Sequence, residues 1–325
     1  MTCLRGARAL ITGGGGAIGS VLAEHLLEAS VAEVVVVDDF SRGRRAHLAA
    51  ALAHGALTLV EGDVRDRVLM RELVDGIDVI FHQAALRVPL CAEQPRRALE
   101  VMVDGTFNVV EAAQQASVDK LILASSGSIY GVAETLPIDE RHHPYGSRTL
   151  YAATKVFSEG LLRSYHDMAG LDYVALRYFN VYGPPMDTWS PHVEVFIRWM
   201  ERIDRGEPPL IYGDGRQSMD FIYIDDVVRA NLLSAEADAT DEVFNIASGS
   251  ETTLNQLVSL VLELMGSDLR PEHKPDGTTS RVSRQLVDTA RAAARLGFRA
   301  EVSLDEGLER LITWWRAGAN RATKP

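Results

Sequence analysis

Tyr151 and Lys155 stand four residues apart in a segment with a helical pattern. On a helix this spacing places both side chains on one face. An ammonium next to a phenol favours the phenolate and lowers a phenol pKa that is ordinarily about 10. The phenolate can then remove a hydroxyl proton as the general base of a hydride transfer. Ser125, Ser126 and Ser128 come earlier in the chain, at the carboxyl end of a predicted strand, where ligands bind in doubly wound sheets.

A second group of residues could hold a dinucleotide. A predicted strand runs into a turn in which Gly13, Gly16 and Gly19 supply a tight bend, bare backbone and close helix packing. The following helix would present its N-terminal N–H groups to a diphosphate. Asp38 ends the next strand, where a carboxylate accepts hydrogen bonds from ribose hydroxyls and repels a 2′-phosphate. These features predict NAD rather than NADP, a preference that the three arginines between positions 42 and 45 weaken.

Strands and helices must alternate through the first half of the chain to position these groups. Short β-branched runs predict strands at Ala7–Thr12, Val34–Asp38, Leu57–Glu61, Val79–His82, Lys120–Ser125 and Tyr173–Arg177. Helical patterns lie between them at Ile18–Ala29, Arg44–His54, Asp66–Val74, Pro95–Ala116 and Leu150–Ala169. This alternation indicates βαβ units, so the predicted fold class is α/β, a Rossmann-type doubly wound parallel sheet.

The composition of the chain changes after Asn180, where Pro and Gly become frequent. Helices are predicted at Val193–Arg205, Ile224–Ala235, Thr253–Met265 and Asp305–Ala317, and a loop is predicted over Arg270–Ser280. We therefore predict a dinucleotide-binding domain over residues 1–180. A smaller, interleaved substrate-binding α/β region is predicted over residues 181–325.

Charge and cysteine content narrow the class of protein. The 325 residues include 33 Lys+Arg and 45 Asp+Glu, a net charge of −12, which argues against a nucleic-acid partner. Cys3 and Cys91 cannot build a disulfide framework and indicate a reducing compartment, and neither belongs to a metal-ligand cluster. No signal-peptide pattern and no apolar stretch of roughly 20 residues is found. We expect a cytoplasmic protein that uses neither a metal nor a membrane.

The chain resembles the extended short-chain dehydrogenase/reductases, and among them the NAD-dependent epimerase/dehydratase family that acts on nucleotide sugars. The resemblance covers nearly the whole chain. The segments that carry it are Thr12–Gly19, Phe81–Ala85, Ser125–Gly131, Tyr151–Lys155, Arg177–Pro184, Gly213–Asp226 and the region Arg281–Phe298.

The resemblance implies a role for several of these residues. In that family the serine corresponding to Ser126 pairs with the catalytic tyrosine, which corresponds to Tyr151. Lys155 is then expected to tune the tyrosine and hold the nicotinamide ribose. Tyr178 is expected beside the nicotinamide, and Asn180 is expected to touch the diphosphate of a nucleotide sugar.

Three sets of candidate residues result. The catalytic set is Ser126, Tyr151 and Lys155. The contacts to a tightly bound NAD are Gly13, Gly16, Ala17, Ile18, Gly19, Asp38, Asp39, Phe40, Ser41, Asp63, Val64, Gln83, Ala84, Ala85, Tyr151, Lys155 and Tyr178. The substrate contacts are Arg87, Ser126, Ser128, Asn180, Arg216, Arg281 and Arg284. His82, which ends a predicted strand, is interpreted as a satisfied buried residue rather than a catalyst.

The residues after Ser126 favour one activity within the family. Related dehydratases carry Asp-Glu where Gly127 and Ser128 stand. At the position of Ser128, related decarboxylases carry Glu and related 3,5-epimerases carry Cys. Without these groups, 4-epimerisation is favoured: C4 of the sugar is oxidised by bound NAD, the keto sugar turns over, and hydride returns to the opposite face. The resemblance implies a UDP- or GDP-sugar as substrate.

Two alternatives stay open. A dehydratase or decarboxylase could draw its acid–base group from Glu134, Asp139 or Glu140, and a non-catalytic NAD(P)-binding sensor or scaffold is the alternative from another class. Met102 and Met219 replace an Asn and a diphosphate-binding Arg that are usual in the family. Arg216, Arg281 or Arg284 could substitute for that arginine. The family also implies a homodimer through the helices containing Pro95–Ala116 and Tyr151–Ala169.

Overall fold

The structure is a computed structural model and describes residues 3–188, 190, 193–275 and 284–318. Its strands are β1 (Arg8–Thr12), β2 (Glu33–Asp38), β3 (Leu57–Glu61), β4 (Val79–His82), β5 (Lys120–Ser126), β6 (Tyr173–Tyr178), β7 (Asn180–Tyr182), β8 (Leu210–Tyr212), β9 (Ser218–Met219), β10 (Phe221–Tyr223), β11 (Glu242–Ile246), β12 (Thr252–Thr253) and β13 (Glu272–Lys274). Seven of them form one parallel sheet in the order β11-β6-β5-β4-β1-β2-β3. The predicted doubly wound sheet is confirmed.

Twelve α-helices accompany the strands in the described residues. They are α1 (Ala17–Glu28), α2 (Ala49–Ala53), α3 (Arg67–Leu73), α4 (Val88–Glu93), α5 (Pro95–Leu99), α6 (Gly105–Gln115), α7 (Leu150–Ala169), α8 (Val195–Asp204), α9 (Ile224–Glu236), α10 (Leu254–Met265), α11 (Ala290–Leu296) and α12 (Leu304–Arg316). One face of the sheet packs against apolar residues of α1 and α9, and the other packs against α3, α6 and α7. Burial on both faces explains why the strands read as continuous hydrophobic runs.

Two predicted helices are not regular α-helices throughout. The predicted helix Pro95–Ala116 is interrupted by a π-helical turn over Glu100–Asp104, between α5 and α6. The predicted helix Arg44–His54 begins as a 3₁₀ turn at Arg45–Leu48. A wider or a tighter turn shifts the pattern by one residue or less, so the apolar periodicity of the sequence does not reveal it.

The second half of the chain builds a smaller apolar cluster and also completes the large sheet. Helices α8, α10 and α12 pack around buried Trp199, whose indole N–H donates to the Leu210 carbonyl at 2.8 Å. Strand β11 pairs with β6 in the large sheet, and α9 packs on that sheet. The sequence reading missed β11, as well as the two- and three-residue strands that pair β7 with β10, β9 with β12 and β8 with β13.

Two further expectations concern the predicted loop Arg270–Ser280 and membrane-spanning helices. The predicted loop Arg270–Ser280 contains the short strand β13, and residues 276–280 lie outside the described residues. None of the helices in the described ranges combines the length and the apolar character needed to cross a bilayer.

Candidate active site

The glycine-rich turn joins β1 to α1 and lies directly against the strand-end segment after β4. Gly13 has φ +70°, and a Cβ on it would lie 2.7 Å from the backbone N and Cα of Ala84. A Cβ on Gly19 would lie 2.5 Å from the Gly13 carbonyl oxygen. Both positions therefore require glycine, because real Cβ atoms do not approach backbone so closely. The bare turn leaves room for a flat diphosphate-linked ligand at the N-terminus of α1.

Asp38 lies under this turn at the end of β2. Its Oδ2 accepts the N–H of Gly15 at 2.9 Å, and its Oδ1 accepts the N–H of Phe40 at 2.7 Å. Burial raises the pKa of Asp38, and the two backbone hydrogen bonds oppose that rise. The side chain thus lies where a ribose hydroxyl of a dinucleotide would be recognised.

Two of the arginines after Asp38, Arg42 and Arg45, pair with carboxylates. Arg45 forms an ion pair of 2.5 Å with Glu61 and covers the Phe40 ring at 4.8 Å. Arg42 donates to Asp187 at 2.9 Å. These partners are consistent with a site that does not hold a 2′-phosphate.

One cavity gathers the candidate cofactor residues. Its lining includes every predicted NAD contact except Phe40, whose ring packs under Arg45, and it also includes Arg87. The predicted contacts that line it are Gly13, Gly16, Ala17, Ile18, Gly19, Asp38, Asp39, Ser41, Asp63, Val64, Gln83, Ala84, Ala85, Tyr151, Lys155 and Tyr178. The structure therefore brings the turn, the acidic residue and the Tyr–Lys pair to one site.

Helix α7 carries that pair, and its bounds match the predicted ones. The Thr149 hydroxyl caps its N-terminus by accepting the Ala152 N–H, and Gly170 in the left-handed conformation ends it. Lys155 Nζ lies 5.8 Å from the centroid of the Tyr151 ring and donates to the Ala124 carbonyl at 2.5 Å. The one-turn spacing thus points both functional groups at the end of β5.

The protonation of this pair is set mainly by burial. Burial raises the pKa of Tyr151, while a hydrogen bond with Ser126 lowers it. Burial also lowers the pKa of Lys155 to about 8. The Ser126 hydroxyl donates to Ser128 Oγ at 3.1 Å. Ser126 therefore links the phenol to a second hydroxyl, and a proton could be passed between these groups.

His82 is held in a directional chain of hydrogen bonds behind the cavity. Its Nε2 meets Thr106 Oγ1 at 3.0 Å, and its Nδ1 meets Thr12 Oγ1 at 2.7 Å. Thr106 donates its hydroxyl proton to the Met102 carbonyl and so accepts from His82 Nε2, while Thr12, which accepts the Ala84 N–H, can donate to Nδ1. Burial lowers the pKa of His82 to about 3. The interpretation of His82 as a satisfied buried residue is confirmed.

Tyr178 closes the inner end of the cavity with two amide side chains. Its hydroxyl donates to Asn231 Oδ1 at 2.9 Å, and the Gln83 amide donates to the same oxygen at 3.0 Å. Burial raises the pKa of Tyr178, so its hydroxyl remains a donor at neutral pH. Asn231 comes from α9 in the second half of the chain and had no motif to single it out.

The predicted substrate contacts are not brought together as the cofactor contacts are. Asn180 donates to the Asp220 carbonyl at 2.7 Å and to Gln285 Oε1 at 2.8 Å, while Arg87 pairs with Glu194 at 3.3 Å. Arg216 lies on an exposed turn 3.8 Å from Asp214. Arg284 forms two hydrogen bonds to Glu251, whose pKa this pairing lowers to about 2. Neither Arg216 nor Arg284 lines the cavity, and Arg281 lies outside the described residues.

The lining also includes residues that the sequence reading did not assign to the site. Ala124 and Ser125 come from the end of β5, Arg42 from the loop after β2, and Asp187 from the segment after β7. Ser125 belongs to the predicted serine cluster, but nothing in the residue pattern distinguishes its contacts from those of Ser126. The pairing of Arg42 with Asp187 joins residues 145 positions apart and has no local signal.

A doubly wound sheet with a glycine turn, an acidic β2 end and a buried Tyr–Lys pair defines a dinucleotide-dependent enzyme of the short-chain dehydrogenase/reductase type. The model of the NAD dependent epimerase/dehydratase family matches residues 9–247, and the chain belongs to this family. Its cofactor is accordingly NAD.

Relatives in this family differ in activity. The UDP-glucose 4-epimerase of Mycolicibacterium smegmatis is 34% identical over 314 residues, covering 95% of this chain and 98% of that protein. The UDP-N-acetyl-alpha-D-glucosaminuronate decarboxylase of Bacillus cytotoxicus is 31% identical over 319 residues, covering 95% and 98%. The crystal structure of the Thermotoga maritima UDP-glucose 4-epimerase with UDP-glucose has a TM-score of 0.90 and 33% identity, covering 96% and 100%. The family is thus defined, while its members share this fold across several reactions.

Proposed function

We propose that the protein is an NAD-dependent nucleotide-sugar 4-epimerase. The observation that carries the proposal is the environment of Tyr151 and Ser126: a phenol, two hydroxyls and an ammonium converge at the end of β5. Gly127 and Ser128 follow, so no carboxylate stands in the positions that related dehydratases and decarboxylases use. Such a site can move a hydroxyl proton, yet neither Gly127 nor Ser128 supplies an acid for eliminating water.

The proposed chemistry assigns one task to each residue. Bound NAD supplies a reversible acceptor for the C4 hydride. Tyr151 takes the proton of the C4 hydroxyl, through or beside Ser126, and returns it after the sugar has turned over. Lys155, one turn beyond Tyr151, is assigned to the nicotinamide ribose and to the charge that forms on the phenol during proton transfer, while burial keeps the pKa of Tyr151 raised in the free site. Asp38 and the glycine turn hold the dinucleotide in place between the two half-reactions.

The substrate is proposed to be a UDP- or GDP-sugar, and UDP-glucose in the T. maritima structure supports the first. Met219 stands where the family usually has a diphosphate-binding arginine. Arg284 is paired with Glu251, Arg216 lies on an exposed turn, and neither of the two lines the cavity. We therefore favour Arg87 and Asn180 as the groups nearest to the diphosphate. Arg87 lines the cavity, and Asn180 is only half-buried.

The oligomeric state is proposed to be a homodimer through α6 and α7. Phe107 on α6 and Phe157 on α7 are 38% and 40% exposed, although both are large apolar side chains. A second copy of the chain would remove these rings from water, which is favourable by the area that each one buries.

The test is turnover of a panel of UDP-, GDP-, dTDP- and CDP-sugars by the purified protein without added NAD, followed by proton NMR. The expected result is a new anomeric signal with an altered H3–H4 coupling and no change in mass. Loss of water or of carbon dioxide would replace the proposal with the dehydratase or decarboxylase alternative. A Tyr151→Phe sample run in parallel controls for contaminating epimerase.

A further inference from the structure

The carboxylate of Glu159 lies one turn beyond Lys155 on α7 and is almost fully removed from solvent. Its Oε1 accepts the Ser125 hydroxyl at 2.5 Å and the Arg177 Nε–H at 2.9 Å, and its Oε2 accepts the Arg177 Nη2–H at 2.7 Å. The Glu159 and Arg177 side chains are only 12% and 10% exposed. An ion pair this deep costs desolvation, which the two-point geometry and the added hydroxyl bond must offset.

Three consecutive residues at the end of β5 are thereby joined to three residues of α7 spaced one turn apart. The Ala124 carbonyl accepts the Lys155 ammonium, the Ser125 hydroxyl donates to Glu159, and Ser126 shares a hydrogen bond with Tyr151. The contact between Ser125 and Glu159 involves neither Tyr151 nor Ser126, which carry the proton in the proposed function. It does, however, fix the end of β5, which bears Ser126, against α7, which bears Tyr151 and Lys155.

We propose that Glu159 is a positioning residue for the reaction: through Ser125 and Arg177 it fixes the end of β5 on α7, so that Ser126, Tyr151 and Lys155 keep their mutual geometry. The inference rests on the proposed function for its kinetic consequence. A kinetic effect is expected because catalytic groups must keep their positions closely: a displacement of about 1 Å can lower the rate about a hundredfold.

The same network of hydrogen bonds extends beyond Glu159 to β6 and β11. Arg177 Nη1 donates to Tyr130 Oη at 2.7 Å and to the Glu140 carbonyl at 3.0 Å. The Tyr130 hydroxyl donates to Asn245 Oδ1 at 2.6 Å. Glu159 is thus connected to β6 by Arg177 and to β11 by Asn245, so α7 is held to three neighbouring strands of the sheet. This arrangement also binds Glu140, which was a candidate acid, to the Asn245 N–H at 2.8 Å.

Several groups set the charge around Lys155. Glu159 and Cys91 favour its ammonium form, and neutral His82 lies behind it on β4. Tyr151 faces it from the preceding turn, and Arg177 reaches the region only through its pair with Glu159. Removing the Glu159 charge therefore takes away a group that stabilises the Lys155 ammonium and leaves the Arg177 charge uncompensated. Both changes act in the same direction on Lys155.

The first experiment compares Ser125→Ala with a matched variant, Ser158→Ala. Both remove one buried hydroxyl, but Ser158 donates only to Thr154 in its own helix, at 2.9 Å. We expect Ser125→Ala to lower kcat by about tenfold or more, with KM, bound NAD and melting temperature close to wild type. Ser158→Ala is expected to keep the wild-type kcat, and Ser125→Thr, which restores the hydroxyl, is expected to recover most of the lost rate.

The second experiment reads Lys155 without any sugar substrate. Lysine occurs only at positions 120, 155, 274 and 324, so ¹³C-lysine labelling of the holoenzyme gives few side-chain signals to assign. In Glu159→Gln the Lys155 titration is expected at lower pH than in wild type. Glu111→Gln removes an α6 carboxylate that pairs with Arg67 of α3, and it is expected to leave the Lys155 titration unchanged.

The outcomes separate the two proposals. If wild-type protein converts no nucleotide sugar, the epimerase proposal fails, and the Lys155 titration alone decides the role of Glu159. An unchanged titration in Glu159→Gln overturns the inference. Where Glu159→Gln does not fold, Ser125→Ala decides it: a wild-type kcat, or a loss matched by Ser158→Ala, overturns it as well.

Discussion

The Asp38 carboxylate accepts the backbone N–H of Gly15 at 2.9 Å, so the acidic end of β2 is fastened to the glycine turn itself. One side chain thus sets both the shape of the turn and the negative charge beside the ribose position. Asp38→Asn is expected to reduce the preference for NAD over NADP by about tenfold, or roughly 1.4 kcal/mol. Calorimetric titration of both dinucleotides into stripped protein measures it.

The control for that prediction is Glu61→Gln. Glu61 is an exposed carboxylate at the end of the adjacent strand β3, and its partner Arg45 is also exposed. The ratio of the two affinities should remain at the wild-type value in this variant. Equal effects of the two substitutions would show that general charge near the site, rather than Asp38, sets the preference.

Removing the Tyr151 hydroxyl is expected to abolish most turnover without releasing the cofactor. In Tyr151→Phe the ring still packs in place, but the proton acceptor is gone, so kcat should fall by about 10²- to 10⁴-fold. Tyr165→Phe on the same helix is the matched control, because the Tyr165 ring makes an edge contact with Phe107 outside the cavity. The NMR turnover assay gives kcat, and the NAD content of each purified variant shows whether the cofactor is retained. A wild-type rate in Tyr151→Phe would contradict the role of Tyr151 as the general base.

His82 is expected to make the protein less stable in mild acid. Its pKa in the folded chain is about 3, against 6.5 ordinarily, so the unfolded chain binds a proton that the folded chain excludes. Stability then falls as the pH drops below about 6.5, by about 2 kcal/mol between pH 7.5 and pH 5. Urea unfolding at the two pH values measures the loss, which should shrink in His82→Gln and persist in His54→Gln, a change at an exposed histidine. A loss of equal size in all three proteins would assign it to other groups.

The ion pair between Arg42 and Asp187 is expected to slow the release of NAD. Both residues line the cavity, and their side chains are 26% and 9% exposed, so the pair joins the loop after β2 to the segment after β7 at the cavity wall. Asp187→Asn should raise the NAD dissociation rate by about tenfold. Displacement of bound NAD by an excess of a fluorescent analogue measures the rate. The control is Glu207→Gln, which removes a carboxylate after α8 that pairs with Arg202 and does not line the cavity. A rate that is unchanged by Asp187→Asn would mean that the pair is only structural.

A charge on the exposed face of α7 is expected to disrupt the proposed homodimer. Phe157→Glu places a carboxylate where a second chain would bury an aromatic ring, and an unpaired buried charge is strongly unfavourable. Sedimentation at micromolar concentration should show a monomer for Phe157→Glu and a dimer for wild type. Tyr212→Glu, at a side chain 51% exposed on β8, should remain dimeric.

Local patterns predicted the parts of the fold whose signals lie within a few residues. Helix α7 has the predicted bounds because Thr149 caps its start and Gly170 ends it, and both are readable from residue type. The glycine turn was equally readable, since the close contacts of Gly13 and Gly19 exclude any other residue. The π-turn before α6 was not, because one extra residue per turn leaves the apolar pattern nearly intact.

Tertiary pairing determined what the sequence could not reveal. Strand β11 has five residues and joins β6 across more than sixty positions, so no periodicity connects them. Arg216 and Arg284 were candidates for binding the diphosphate because of their residue type alone. In the structure Asp214 lies beside Arg216, and Glu251 pairs with Arg284. The contacts of Ser125 and Glu159 likewise depend on how β5 meets α7, which residue spacing within α7 does not specify.

The position of β11 has a consequence for the order in which the chain can fold during synthesis. Until residue 246 has left the ribosome, β6 is the outer strand of the sheet, with its outward N–H and C=O groups unpaired. The nascent sheet would therefore present an open edge for the time needed to make more than sixty further residues. A chain truncated within this stretch would keep that open edge, so it is expected to aggregate rather than form a smaller working domain.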